Sequence, residues 1–169
     1  MKKIKVLLSV FIMVAAGCKK PEQFSEIPSI TFKSVSTQKD AAGFDVSAKV
    51  VISFTDGDGD IGYRNSGNGS PYDDYGGPYY YNFVIQMDSL HTGLWVSDVT
   101  DTLSGRIPYL TQEGSNKALK GEIAMDVPIP VSFSHAILQY QLRYHIFIYD
   151  RKFNKSNTVT SSEFIIRIH

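Results

Sequence analysis

Apolar side chains return at every second position through most of this chain. Phe44, Val46, Ala48, Val50, Ile52 and Phe54 alternate with Asp45, Ser47, Lys49, Val51, Ser53 and Thr55. Tyr81, Phe83, Ile85 and Met87 repeat the pattern, as do Ile123, Met125, Val127 and Ile129. The longest run is Leu138, Tyr140, Leu142, Tyr144, Ile146 and Ile148, set against Gln139, Gln141, Arg143 and His145. A period of two is the signature of half-buried β-strands, so each run predicts a strand with one core-facing side. Ile30 and Phe32 predict a first strand, Leu94 to Val96 a short one, and Phe164, Ile166 and Ile168 the last. No stretch carries a helical stripe; residues 132–138 allow a single turn, with Pro128 and Pro130 before it.

About seven strands joined by turn-rich loops predict an all-β fold of two packed antiparallel sheets. An immunoglobulin-like or fibronectin-III-like β-sandwich is the expected architecture, with a jelly roll or open barrel as the alternative. The chain of 169 residues is long for such a domain, so loop insertions are required. One insertion spans residues 62–78, rich in Gly, Ser, Asn, Asp and Tyr; the other spans 100–120 and contains Ile107, Tyr109 and Leu110.

The first residues break the strand pattern. Lys2, Lys3 and Lys5 precede an apolar run from Val6 to Ala16, then Gly17 and Cys18. A basic start, a short apolar run and small residues before a cut describe an export signal. The run is too short to span a bilayer, which takes ~20 residues. Ala15-Ala16-Gly17-Cys18 resembles the lipobox of bacterial lipoproteins, with Ala15 where Leu is commoner. The resemblance implies that residues 1–17 are removed and that the thiol of Cys18 is acylated. This accounts for the chain's single cysteine, which has no disulfide partner within it. Lys19 and Lys20 follow in place of the Asp that marks inner-membrane retention, which implies the outer membrane. Residues 18–28, with Pro21 and Pro28, form the expected tether, and 29–169 the sandwich. Loss of the signal removes three of 17 basic residues against 17 acidic ones, leaving a mildly acidic domain. That balance gives no footprint for nucleic acid.

The most informative segment of the mature chain is Asp56-Gly57-Asp58-Gly59-Asp60-Ile61-Gly62. Carboxylates at every second position, with glycines between, are able to fold around one hard cation. Calcium is the expected ion, at ~10⁻⁴ to 10⁻³ M as in extracellular modules. An EF-hand is excluded: Ile61 stands where it needs Gly, Gly67 where it needs Glu, and a strand precedes the loop. Asp150, in Asp150-Arg151-Lys152-Phe153-Asn154-Lys155-Ser156-Asn157, is the expected fourth ligand. The loop after a sandwich's second strand and the loop before its last strand lie at one end, which would bring Asp56, Asp58 and Asp60 to Asp150. Arg64 is a candidate counter-ion for the acidic loop. The bland alternative is a solvated turn, since Asp and Gly favour turns for local reasons. Lipobox, acidic loop and Asp150 turn together resemble small lipoproteins of Bacteroidota, which implies an immunoglobulin-like domain.

Tyr72, Tyr75, Tyr79 and Tyr80, amid Gly, Ser, Asn and Asp, have the composition of a recognition surface for a glycan or protein partner. They also suit a hairpin that covers the sandwich edge. Catalytic signals are weak. His91, His135, His145 and His169 lack metal-site spacing, Asp98 and Asp101 have no partner motif, and no nucleophile or nucleotide fingerprint occurs. The expectation is a non-enzymatic binding or structural lipoprotein. An accessory subunit of an envelope assembly is the alternative, and a small hydrolase using the acidic loop a weaker one.

Overall fold

The structure, a computed structural model, describes residues 22–98, 103–110, 117–129 and 139–168. The expected signal, Cys18, most of the tether, the turn at 132–138, Asp101, His135, His169 and the side chain of Asp98 lie outside the described residues. The described residues form eight strands and no α-helix. They are β1 Ser29–Lys39, β2 Asp45–Asp56, β3 Phe83–His91, β4 Leu94–Asp98, β5 Leu119–Pro128, β6 Gln139–Ile148, β7 Val159–Thr160 and β8 Phe164–Arg167.

Two antiparallel sheets pack into a sandwich. One has the order β1-β2-β5; the other runs β4-β3-β6-β7, with β8 also paired to β6. Ala48, Val50, Ile52 and Phe54 of β2 supply one side of the core. Ile85 and Met87 of β3, Leu142, Tyr144, Ile146 and Ile148 of β6, and Ile166 of β8 supply the other. Each fully buried aliphatic side chain contributes ~1.5–3 kcal/mol, which is why the alternation specifies the register.

The alternation fails at the start of β2. Val46 is half exposed and Asp45 is buried, because the β1–β2 pairing shifts register between Gln38 and Lys39. The extra residue turns the Asp45 carboxylate inward, where it accepts from Arg167 N at 2.7 Å and Lys39 Nζ at 2.8 Å. The final strand is split in two. At the break the Ser161 hydroxyl accepts from Tyr144 N at 2.9 Å, replacing a ladder bond. Ser156 does the same for Ile148 N at 3.0 Å. β3 begins at Phe83 rather than Tyr81. Part of the second insertion is threaded into the core: Leu103 and Ile107 are buried, and Gly105 bridges Phe83.

Candidate metal centre and its aromatic cover

Two core strands extend their inward alternation by one further position, and in both cases that position is an aspartate. After Val50, Ile52 and Phe54 comes Asp56; after Tyr144, Ile146 and Ile148 comes Asp150. Both are fully buried. Because β2 and β6 belong to facing sheets, the two carboxylates meet at one pole of the sandwich.

The turn after Asp56 adds a third. Asp56 Oδ2 accepts from Asp60 N at 2.8 Å, which closes the loop around the first carboxylate. Gly59 and Gly62 have φ of 68° and 90°, a region that suits glycine. At Gly57 a Cβ would lie 2.3 Å from Phe24 O, and Gly57 N donates to Ser25 O at 2.7 Å. Ile61, fully buried and bridged to Asp150, fixes the far side of the turn.

Asp56, Asp60 and Asp150 each place a carboxylate oxygen within 4.8 Å of the others. Two oxygens on one calcium ion, each 2.3–2.6 Å from it, are separated by at most ~5 Å, so the spacing fits a shared ion. The three differ in their partners. Asp150 is well supplied: Oδ1 accepts from Lys152 N and Asn154 N, both at 2.8 Å, and Oδ2 from Asn154 Nδ2 at 2.7 Å. Asp56 Oδ1 and Asp60 Oδ1 are buried and have no hydrogen-bond donor. Burial pushes Asp56 up to about 6, and the charges of Asp58 and Asp150 add to the effect. Burial also pushes Asp60 up to about 7, reinforced by Asp150, Asp58 and Asp56 and opposed by Arg151.

Asp58 is outside this group of three, although its charge acts on both Asp56 and Asp60. Its carboxylate is 2.5 Å from Lys152 Nζ, and that lysine also lies 3.7 Å from Glu26. Arg64, expected as the loop's counter-ion, instead lies over the Tyr109 ring. Arg151 has the nearer role. It donates to the carbonyls of Ile61, Gly62 and Gly59 at 3.1–3.3 Å, so it braces the loop's backbone.

The tyrosine insertion covers this pole. Tyr72 stacks on Phe153 with centroids 5.1 Å apart, meets Tyr63 edge-on, and donates its hydroxyl to Arg151 O. Tyr79 packs against Phe153 and Tyr149. Tyr80 contacts Tyr75, Tyr81 and the Arg106 guanidinium. Of the four tyrosines expected to form a recognition surface, Tyr75 alone is largely exposed, at 83%. Tyr72 and Tyr79 instead clamp the turn that carries Asp150.

A second polar cluster, which the sequence pattern does not reveal, lies on the outer face of the larger sheet. Asp88, 4% exposed, pairs with Arg143 across β3–β6. Its Oδ2 accepts from Arg143 Nε at 2.8 Å and His145 Nε2 at 2.9 Å; its Oδ1 accepts from Ser97 at 2.6 Å. Burial works against its charge, but the bonds from Ser97, His145 and Arg143 outweigh it and hold the carboxyl at about 2. Arg143 in turn lies under Trp95, 4.4 Å from the ring centroid. Only cross-strand register brings these residues together; Asp88 and His145 are far apart in the chain.

No protein-family model matches the chain, and neither a curated protein nor a solved structure is similar enough to match. Among the described residues, no helix is long and apolar enough to cross a membrane.

Proposed function

We propose that this chain is an outer-membrane lipoprotein, anchored through acylated Cys18, whose sandwich is a non-enzymatic binding or structural module stabilised by calcium. Buried carboxylate oxygens without donors, Asp56 Oδ1 and Asp60 Oδ1 among them, set against Asp150, carry the reading. Buried carboxylates otherwise cost several kcal/mol each unless paired. An all-oxygen donor set without His or Cys suits a hard cation, and calcium accepts irregular geometry that magnesium resists. Asp56, Asp60 and Asp150 would hold the ion, with Asp58 at the rim. The ion supplies charge compensation. Strand order supports an immunoglobulin-like lineage: lettered along the chain, the neighbours read A-B-E and C-F-G, with β4 beside C.

Calcium at ten to a hundred times its Kd stabilises by ~1.4–2.7 kcal/mol, or roughly 3–10 °C in Tm for a domain of this size. Scanning calorimetry in EDTA and in millimolar calcium reads this directly. An unchanged Tm, with Asp60→Asn responding as the parent does, overturns the metal reading. The anchor has its own test: Cys18→Ser must abolish fatty-acyl labelling and release the protein from membranes, and retention of both overturns it.

A further inference from the structure

Beside the acidic pole lies a cavity of about 280 Å³ whose walls include Tyr63, Tyr72 and Tyr109 and whose charged lining is Arg64 and Arg151. Among the described residues, no acidic one lines it. Of the neighbouring carboxylates, Asp73 accepts from Arg106 at 3.1 Å and from Asn68, Asp58 pairs with Lys152, and Asp60 lines the adjoining pocket with Arg151 but makes no salt bridge to it. The two guanidinium groups therefore converge on one ring without an ion pair among the described residues. Arg64 lies 5.3 Å and Arg151 4.5 Å from the Tyr109 centroid.

The Arg151 cation is held before any ligand arrives, and Arg64 is fixed at its backbone. Arg151 is fixed by its three loop carbonyls, a set that uses Nη1 and Nη2 and leaves Nε without an acceptor among the described residues. The backbone of Arg64 is clamped by Asn68, which accepts from Arg64 N at 2.9 Å and donates to Arg64 O at 2.8 Å. Those bonds, with one to Asp73, occupy the Asn68 amide, so the lining offers donors rather than acceptors. The Tyr63–Tyr72 wall is set by their edge contact at 5.0 Å. Guanidinium forks match carboxylate geometry, and ring faces pack against flat bodies at low entropy cost. The cavity is near the lower end of small-ligand pockets, ~300 Å³, which suits one ring.

We propose that this cavity binds a small single-ring carboxylic acid, its carboxylate between Arg64 and Arg151 and its ring against the tyrosines. This site goes beyond the calcium reading and does not require the ion. The test is an NMR titration of the purified chain with benzoate, glucuronate, glucose and sulfate, run in EDTA and again in calcium. Either carboxylate should shift the amides of Arg64, Asn68, Tyr72, Tyr109 and Arg151, with a Kd of ~1 mM for so small a ligand. The stronger of the two identifies the ring as aromatic or sugar. Glucose should leave these amides unmoved, and Arg64→Gln, at an exposed side chain, should weaken carboxylate binding ~10-fold. Silence with both carboxylates overturns the proposal. So does an equal response to glucose or sulfate, or binding that Arg64→Gln leaves intact. Binding that persists in EDTA while calcium has no effect on Tm separates this site from the metal centre.

Discussion

Asp88 and Asp60 are both nine-tenths or more buried, yet one is held at about 2 and the other rises to about 7. The difference lies in what surrounds them. Asp88 faces Arg143, His145 and a serine hydroxyl, so its charge is met by donors on both oxygens. Asp60 faces two more carboxylates and an arginine whose donors are turned to backbone carbonyls. Burial sets the stakes in both places, and the supply of positive charge and donors decides the outcome. A complete cluster is architecture. The incomplete one is the cluster for which we propose an ion.

The contrast can be broken from either side. The largest effect should come from Asp88→Ala, which strands Arg143 and His145 and should cost ~3 kcal/mol, whatever the calcium concentration. Asp60→Asn should do the reverse in metal-free protein at pH 8, gaining ~1 kcal/mol by removing repulsion, and should lose the response to calcium. Urea denaturation of both variants reads the signs; like signs in EDTA would dissolve the distinction.

The pH dependence should also divide them. Asp56 and Asp60 have folded-state values raised above 3.8, so between pH ~4 and ~7 the folded chain retains protons that the unfolded chain has released. Their contribution therefore falls as pH rises through that window, by on the order of 2 kcal/mol, since the coupled shifts do not simply add. Asp88 is shifted the other way, so its contribution is complete above ~4 and lost as pH falls towards 2. Stability profiles in EDTA should decline from pH 4 to 8, and saturating calcium should remove the decline.

Much of this pole was legible in the sequence, because local periodicity carries through to it. The alternation Val50, Ile52, Phe54 leads straight to Asp56, and the order of strands brings Asp150 to the same end. What failed to show depends on contacts between distant segments. Asp58 shares the spacing of its neighbours, but the turn directs it to Lys152. Arg64 is adjacent to the loop in sequence, whereas Arg151 reaches it through the opposite sheet. The shift at Lys39 inverts Asp45 and Val46, an inversion that a strict period of two does not anticipate. Asp88 reads as an ordinary solvent-facing strand residue until β3 is set beside β6.

The contact between Gly57 and Phe24 has a mechanical consequence. Phe24 is six residues beyond Cys18, so on the proposed anchoring the mooring line can pay out no more than ~20 Å before the acidic pole checks it. On that proposal the domain would ride with its acidic pole towards the lipid surface. The turns at residues 40–44 and 92–93, at the other ends of β2 and β3, become its leading edge. On the same proposal, a partner arriving from beyond the membrane would meet that edge first, whereas the carboxylates would sample the ions gathered beside the bilayer.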